Sequence, residues 1–368
     1  MIAAKKQKII FLLPALTSGG AERVLITFMN NIDSARFAPH LLCVSDRGSI
    51  KSLLDPRVPF HSLQMQNVML SIPKLYMKLR ALKPDIIVST MVHMNFALLL
   101  LSPFFPHTKF IVREAITPSF VFNQHKYIAP LLKIAYKLLY SRANIVLSPA
   151  QAIIDEFTNN LNMNCYNCRV LQNPVDIEYI RNFKIEPFKN DSDRLQKVHF
   201  IAAGRLHKQK GFDRLISALP NLDTPYDWQL TILGKGSECE ALSKLIQETG
   251  LQERVKLAGH MQNPWPHYAQ ADCFLMPSRW EGLPNAVLES LACGTPAIVT
   301  AQSGGIAEIQ KFTGDKHLRI VNNMQEFIKA MAKVKPNPSS AYRESLLPNN
   351  FYKTTIIKKF EEILDEVL

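Results

Sequence analysis

The stretch 277–296 reads PSRWEGLPNAVLESLACGTP and begins at the end of a predicted buried strand, CFLMPS. Gly282 permits a tight turn, and Pro284 suits a first helical turn, where its missing N–H costs nothing. The stretch therefore predicts a strand, a turn and a helix whose first amides, those of Asn285, Ala286 and Val287, face an anion. Glu281 and Glu289 flank that helix start, and carboxylates accept hydrogen bonds from vicinal hydroxyls such as those of a ribose or hexose.

Apolar strands and amphipathic helices alternate on both sides of this stretch, which is the pattern of parallel α/β sheets covered on both faces. In the second half the predicted strands are VHFIAAGRL, WQLTILG, RVKLAG, CFLMPS and PAIVTA, and the predicted helices are 211–219, 238–248, 264–270 and 285–293. In the first half the predicted strands are KIIFLLPAL, HLLCVSD, DIIVST, KFIVRE, NIVLSP and CRVLQNP, and the predicted helices are 21–31, 71–82, 125–141 and 150–160.

The polar run at 181–197 interrupts the alternation and reads as a linker. We therefore predict two doubly wound domains, 1–185 and 186–350, followed by an amphipathic helix at 351–368 that packs back on the first domain. Ligands of such sheets lie beyond the carboxyl ends of the strands. We expect each domain to contribute one wall of a central cleft.

Two further stretches carry residues suited to phosphate. AAGRLHKQKG places Arg205 at a strand end and Lys210 just before the next helix, and two such cations suit a diphosphate. The alternative is a pair of solvated surface charges. LPALTSGGAERVL (13–25) predicts a strand, a glycine turn at Gly19 and Gly20, and a helix.

Positive charge is concentrated in one half of the chain. The net charge of the 368 residues is +12, and residues 1–185 hold 21 Lys and Arg against 10 Asp and Glu. A basic half suits nucleic acid, a membrane surface or phosphorylated substrates. The start of the chain reads as a buried strand rather than a signal peptide, and FALLLLSPFF (96–105) is too short to span a bilayer. We expect a cytoplasmic protein.

Nothing in the sequence predicts a metal site. The six cysteines include one CYNC at 165–168, without a second pair or histidines at ligand spacing, so ordinary thiols are expected. Two aspartates one residue apart could hold a metal ion, but the only such run, DSD at 191–193, lies in the linker. We expect a metal-independent reaction.

The motifs GRLHKQKG, LGKGSE, PSRWEGLPNAVLESLACGTP and GGIAEI, with TSGGAER near the start, together resemble the retaining glycosyltransferases of family GT4, which have the GT-B fold. The spacing from Glu281 to Glu289 matches the E-x7-E motif of that family. The resemblance implies a nucleotide-sugar donor, UDP-linked by analogy, and retention by front-face attack. It implies that Arg205 and Lys210 hold the donor diphosphate, that Glu289 binds ribose, and that Glu281 contacts the sugar. The implied donor-binding set is Gly204, Arg205, Lys210, Gly234, Leu283, Pro284, Asn285, Ala286 and Glu289.

The resemblance also implies residues in the first half. Gly19 and Gly20 would let their loop approach donor phosphate and acceptor closely. His93, after DIIVST, corresponds to a residue near the reacting sugar carbon, although a packed histidine is the alternative. Glu114 either binds acceptor or holds a loop.

The segment 125–142, HKYIAPLLKIAYKLLYSR, reads as a basic amphipathic helix of the kind that lies on anionic membranes, or else as a core-facing helix with solvated lysines. Its expected membrane residues are Lys133, Lys137, Tyr136 and Tyr140. We expect a polyprenyl-diphosphate-linked glycan as acceptor, reached by peripheral docking on the cytoplasmic face of the inner membrane.

Other functions fit the residues less well. A nucleic-acid binder would carry a recognisable module, and a dinucleotide oxidoreductase would need G-x-G-x-x-G. A nucleotide-sugar epimerase of the same fold remains an alternative, as does a basic membrane- or nucleic-acid-binding scaffold without catalysis. We expect no nucleic-acid partner.

Overall fold

The computed structural model of the protein describes residues 6–17, 19–185, 196–337 and 341–368. Most of the predicted linker 181–197, including the DSD run, lies outside the described residues. The chain divides into two compact units. The first unit comprises residues 1–174 with 354–368, and the second comprises residues 175–353.

The first unit contains a seven-stranded sheet in the order β3-β2-β1-β4-β5-β6-β7, with every recorded pairing parallel. Its strands are β1 (Gln7–Leu13), β2 (Phe37–Cys43), β3 (Phe60–Ser62), β4 (Ile86–Thr90), β5 (Lys109–Arg113), β6 (Ile145–Ser148) and β7 (Cys168–Val170). The order reverses between β1 and β4, which is the point where doubly wound sheets bind ligands.

Helices cover both faces of this sheet. They are α1 (Gly20–Asn31), α2 (Ile72–Leu82), α3 (Val92–Leu101), α4 (Pro118–Gln124), α5 (Ala129–Tyr140) and α6 (Gln151–Asn159). Side chains of β1 alternate between two cores: Ile9 and Phe11 pack with α1, whereas Ile10 and Leu12 pack with α2, α3 and α5. This alternation explains why β1 is apolar throughout.

The second unit contains a six-stranded parallel sheet in the order β10-β9-β8-β11-β12-β13. Its strands are β8 (Lys197–Ala203), β9 (Asp227–Leu233), β10 (Val255–Gly259), β11 (Cys273–Met276), β12 (Ala297–Thr300) and β13 (Leu318–Val321). Its helices are α7 (Ile177–Arg181), α8 (Phe212–Ala218), α9 (Cys239–Glu248), α10 (Trp265–Gln270), α11 (Asn285–Ala292), α12 (Ile306–Thr313) and α13 (Met324–Met331). The order reverses between β8 and β11.

The last helix, α14 (Lys353–Val367), belongs to the first unit from Thr354 onward. Its Phe360 is fully buried and stacks on Phe28 of α1 with ring centroids 4.5 Å apart. Residues 175–185 belong to the second unit instead of the first, because Val175 and Ile180 are buried in the core that contains α11.

The prediction of two doubly wound parallel sheets is confirmed. Among the described residues, the sequence patterns missed two short strands, β3 and β13, and five helices, α3, α4, α7, α12 and α13. Residues 96–101 of the apolar run FALLLLSPFF belong to α3, a largely apolar helix most of which is buried, and Ser102–Phe104 form a short 3-10 turn after it. No helix among the described residues is long and apolar enough to span a bilayer.

Candidate active site

The predicted donor residues of the second unit follow the two strands at its reversal point. Gly204 and Arg205 come directly after β8, and the stretch that contains Glu281 follows β11. Because β8 and β11 are adjacent and parallel, both segments leave the same edge of the sheet. The fold therefore brings together residues that are about 70 positions apart in the sequence.

Lys210 and Glu281 form an ion pair at this edge. Lys210 Nζ lies 2.6 Å from Glu281 Oε1, and the Ser278 hydroxyl donates to the same oxygen at 2.8 Å. The two charged side chains are 18% and 10% exposed. Each charge is thus compensated before any ligand binds, which a largely buried charge requires.

The two loops that carry this pair are tied to each other. Gln209 Nε2 donates to the Trp280 carbonyl at 3.1 Å, and the Arg279 amide donates to the Gln209 carbonyl at 2.7 Å. Arg279 also binds both carboxylate oxygens of Asp213 at 2.7 Å, and these hydrogen bonds lower the pKa of Asp213. These contacts fix the loop that carries Lys210 against the loop that carries Glu281.

Glycines make this close arrangement possible. A Cβ at Gly204 would lie 2.9 Å from Lys210 Cε, and a Cβ at Gly234 would lie 1.8 Å from the Gly204 carbonyl oxygen. In the GGIAEI stretch, a Cβ at Gly304 would lie 2.3 Å from the Glu281 carbonyl oxygen. The motifs GR, LGKG and GG thus serve one packing arrangement around Lys210 and Glu281.

Helix α11 begins as predicted at Asn285, with Pro284 as its N-cap. The sequence predicted that the Val287 amide would face an anion, and this was wrong. The amide donates to the Pro284 carbonyl at 3.2 Å in a tight first turn, so it is not available to a ligand. Leu283 and Pro284 are buried, whereas Asn285 and Ala286 are half-buried. Any anion at this helix start would therefore meet the backbone at Asn285 and Ala286.

Arg205 and Glu289 complete the predicted donor set. Arg205 is exposed and takes part in no ion pair within the described ranges of the chain. Glu289 is half-buried, and its Oε2 accepts a hydrogen bond from Trp265 Nε1 at 3.0 Å.

In the first unit, the glycine turn comes after β1. His93 comes after β4, which is the neighbour of β1 in the sheet. Gly19 is the N-cap of α1, and Gly20 is its first residue. Beneath them lies Glu22, which is 1% exposed and accepts a hydrogen bond from the Thr17 hydroxyl. A Cβ at Gly19 would lie 2.2 Å from Glu22 Oε2, so a side chain at position 19 would require the Glu22 carboxylate to move.

His93 is exposed near the start of α3, immediately beyond the carboxyl end of β4. Partial desolvation lowers its pKa below the usual value, which favours the neutral imidazole. The preceding Met91 has a φ of 74°, a strained conformation for a residue with a side chain. Strain of this kind accumulates at functional sites.

Glu114 lies inside the protein, not at its surface. It is 1% exposed and accepts hydrogen bonds from the hydroxyls of Tyr140 and Tyr136. Burial raises the pKa of Glu114 to about 7, against the lowering effect of these hydrogen bonds. Asn95 extends the network by donating to the Tyr140 hydroxyl at 3.0 Å and to the Arg113 carbonyl at 3.1 Å. Glu114 thus holds two tyrosines of α5 inside the first unit, and its expected role in binding acceptor or holding a loop stays a prediction.

The face that α5 presents to solvent differs from the expected one. Tyr136 and Tyr140 are 0% and 1% exposed, so their assignment to a membrane surface was wrong. Both hydroxyls are drawn inward by Glu114, and both rings pack on Phe157. Lys133 and Lys137 are exposed as expected.

The exposed apolar residues of α5 are Leu131, Ile134 and Leu138, at 65%, 54% and 61% exposure. Together with Lys133 and Lys137 they form what we name the α5 outer face. Just before it, Tyr127 is fully exposed and Ile128 is about half exposed. Contiguous exposed apolar residues of this kind mark interaction sites.

Sequence reasoning missed three residues of the site: Ser278, Glu22 and Trp265. Glu22 could have been found, because a glutamate three positions after an N-cap is a known capping residue. Trp265 carries no such signal, because its contact with Glu289 spans 24 positions.

Within the described residues, no group of three or more His, Cys, Asp or Glu side chains is arranged to hold a metal ion. Cys165 and Cys168 are free thiols, and burial raises the pKa of both.

Two family models match the chain, one in each half. The model described as Glycosyltransferase Family 4 matches residues 18–179, and the model described as Glycosyl transferases group 1 matches residues 184–350.

Named relatives are similar to the chain over different lengths. N-acetylgalactosamine-N,N'-diacetylbacillosaminyl-diphospho-undecaprenol 4-alpha-N-acetylgalactosaminyltransferase of Campylobacter jejuni is 29% identical over 82% of this chain and 83% of its own. The lipopolysaccharide core biosynthesis glycosyltransferase LpsE of Rhizobium meliloti is 39% identical over 28% of this chain and 30% of its own. Among solved structures, Anabaena HepE in complex with UDP and glucose has a TM-score of 0.77 at 20% identity, covering 98% of this chain and 100% of that one.

Solved glycosyltransferases thus share the two-sheet architecture, and the two family models together match most of both units. Other relatives are named for the biosynthesis of the lipopolysaccharide core and, in Erwinia amylovora, of amylovoran. The chain therefore belongs to the glycosyltransferases that the Family 4 and group 1 models together describe; it has the GT-B fold, and it is a hexosyltransferase.

Proposed function

We propose that the protein transfers a hexose or N-acetylhexosamine, with retention and without a metal ion, from a UDP-sugar to a polyprenyl-diphosphate-linked glycan. The observation that carries the proposal is the Lys210–Glu281 ion pair at the reversal point of the second sheet. A cation suited to phosphate and a carboxylate suited to sugar hydroxyls lie side by side, as a nucleotide sugar requires.

The donor diphosphate would lie between Lys210, Arg205 and the start of α11. An ammonium group has three N–H donors, so Lys210 can bind phosphate oxygen while it remains paired with Glu281. Arg205 is exposed and adds a guanidinium fork. Half-buried Asn285 and Ala286 add the positive end of an eight-residue helix.

The donor sugar and ribose would meet the two carboxylates. Oε1 of Glu281 already accepts from Lys210 and Ser278, so in this proposal Oε2 would accept from the hydroxyls of the transferred sugar. Glu289 would bind the ribose hydroxyls. Neither carboxylate is needed as a nucleophile in this arrangement.

The chemical step breaks the bond between the sugar and the diphosphate. Negative charge that develops on the departing diphosphate would be stabilised by the fixed cations, which act without reorganisation. The acceptor hydroxyl attacks from the same face, and its proton passes to the leaving phosphate oxygen. Neutral His93 would contact the sugar near the reacting carbon.

The acceptor is proposed from the first unit and from one relative. The Campylobacter enzyme is named for a diphospho-undecaprenol substrate, and it matches most of this chain. Residues 1–185 hold 21 basic against 10 acidic side chains, and the α5 outer face combines lysines with exposed apolar residues. These features suit peripheral docking on an anionic bilayer from the cytoplasmic side.

The test is a transfer assay with purified protein, a panel of UDP-, GDP- and ADP-sugars, and a lipid-diphosphate glycan acceptor. We expect transfer from a UDP-sugar that EDTA does not abolish. Complete loss of activity in EDTA that Mg²⁺ restores would overturn the metal-free mechanism. Conversion of the nucleotide sugar without transfer to any acceptor would indicate the epimerase alternative.

A further inference from the structure

Trp265 donates a hydrogen bond to Glu289 that the sequence did not predict. Its indole Nε1 lies 3.0 Å from Glu289 Oε2, and the residue is only 4% exposed. An indole N–H is solely a donor, so the direction of this bond is unambiguous. The contact joins the first residue of α10 to the middle of α11.

The indole is held in place independently of Glu289. Tyr179 meets it edge-on, with ring centroids 5.5 Å apart, and Phe183 lies 5.0 Å from it. The Trp265 carbonyl accepts a hydrogen bond from Cys293 Sγ at 3.6 Å. The donor is therefore a rigid group, fixed by an aromatic cluster and by the end of α11.

A rigid donor restricts the orientation of the carboxylate that it binds. A glutamate side chain samples several rotamers when it is unrestrained, and ordering it on ligand binding reduces affinity. A carboxylate offers about four acceptor positions, and the indole bond occupies one of them. Glu289 is half-buried and is thus still reachable by a ligand.

We infer that Trp265 is a positioning residue that presents the Glu289 carboxylate to the ribose hydroxyls of the donor nucleotide. The inference rests on the proposed function, in which Glu289 binds ribose. Trp265 does not touch the ligand. It acts by holding one carboxylate oxygen so that the carboxylate meets the hydroxyls in one orientation.

The test is the substitution Trp265→Phe, which retains an aromatic ring and removes the donor. Binding of UDP, GDP and ADP to the full-length protein is measured by calorimetry. The tightest of the three is then compared with its 2′-deoxy and 3′-deoxy forms. Hydrogen bonds to a charged group predict that the wild-type protein prefers the ribose form by about tenfold or more, and we expect Trp265→Phe to reduce that preference to about threefold or less.

Trp228→Phe is the matched control. Trp228 is also 4% exposed, but it lies on β9, and its aromatic face contacts Arg254 instead of a site residue. We expect this variant to retain the wild-type preference for ribose even if its melting temperature falls.

The outcomes distinguish the proposed role of Glu289 from the positioning role of Trp265. If the wild-type protein binds none of the nucleotides, or does not distinguish ribose from its deoxy forms, the proposed role of Glu289 is wrong and this inference is wrong with it. If the wild-type protein discriminates and Trp265→Phe discriminates equally, the indole bond merely satisfies a buried N–H, and the inference alone is overturned.

Discussion

Lys210 is the residue on which the proposed chemistry depends most. We predict that Lys210→Ala lowers kcat about 100- to 1000-fold, because removal of one preorganised donor to a developing charge typically has an effect of this size. The measurement is steady-state transfer with saturating donor. Circular dichroism establishes that the variant is folded.

The neighbouring Lys208 provides the control for this prediction. It is exposed and belongs to the same short turn, but its side chain has no ion-pair partner among the residues described by the structure. Lys208→Ala should retain nearly full activity. Equal losses in the two variants would mean that general positive charge, not the Lys210–Glu281 pair, supports transfer.

Glu114 makes stability depend on pH. Its pKa is raised from 4.5 to about 7, so between these values the folded protein retains a proton that the unfolded chain has lost. The contribution of Glu114 to the free energy of unfolding therefore falls as pH rises from about 4.5 to 7, and then stays constant.

We predict that Glu114→Gln gains stability relative to the wild-type protein across this range, since a glutamine oxygen can still accept from Tyr140. Urea unfolding at pH 5 and pH 8 measures the difference. The exposed Glu253→Gln serves as the control and should show no such trend. A Glu114→Gln profile parallel to that of the wild-type protein would contradict the buried, protonated carboxyl.

At the residue scale, sequence reasoning worked where chemistry is local in the chain. Glu281 and Glu289 lie on either side of one helix start, and their spacing was visible in the sequence. The Trp265–Glu289 bond could not be predicted, because it depends on how α10 packs on α11. The burial of Glu114 also depends on tertiary packing, which brings two tyrosines of α5 to it.

Among the elements, α5 shows most clearly what a helical pattern leaves undecided. Apolar residues occupy nearly the whole circumference of the helix, so both the stripe with Tyr136 and Tyr140 and the stripe with Ile134 and Leu138 could face the core. The buried carboxylate of Glu114 selects the first, since it satisfies both tyrosine hydroxyls. The second stripe is thereby left in solvent.

We predict that Ile134→Asp weakens binding to vesicles that contain anionic phospholipid, because it places a charge at the centre of the α5 outer face. Vesicle flotation measures the bound fraction. Phe312→Asp, at a 44% exposed position on α12, is the control and should not change the bound fraction. If the wild-type protein binds neutral and anionic vesicles equally, or binds neither, the docking proposal is contradicted.

For the molecule as a whole, the alternation of strands and helices was enough to predict two doubly wound sheets. The missed strands are the edge elements β3 and β13, with three and four residues. The described structure places residues 175–185 in the second unit. Sequence could not show this, because the same apolar residues would suit either core.

Helix α14 makes the far end of the chain part of the first unit. We predict that Phe360→Ala destabilises that unit by about 3–5 kcal/mol, the usual effect of removing a fully buried aromatic ring. Chemical denaturation with a probe in the first unit measures the change. Phe312→Ala removes a partly exposed ring from the second unit and should have a much smaller effect; a comparable loss from both would argue against a core position for α14.

The close contact between Gly19 and Glu22 limits how this enzyme can diverge. The oxygen of Glu22 lies where a side chain at position 19 would begin, so a larger residue at position 19 would require the Glu22 carboxylate to move. In lineages that acquire alanine or serine at position 19, we expect a shorter residue to have replaced the glutamate first. The order of these two replacements is thus constrained, and reconstructed ancestors of the family would reveal it.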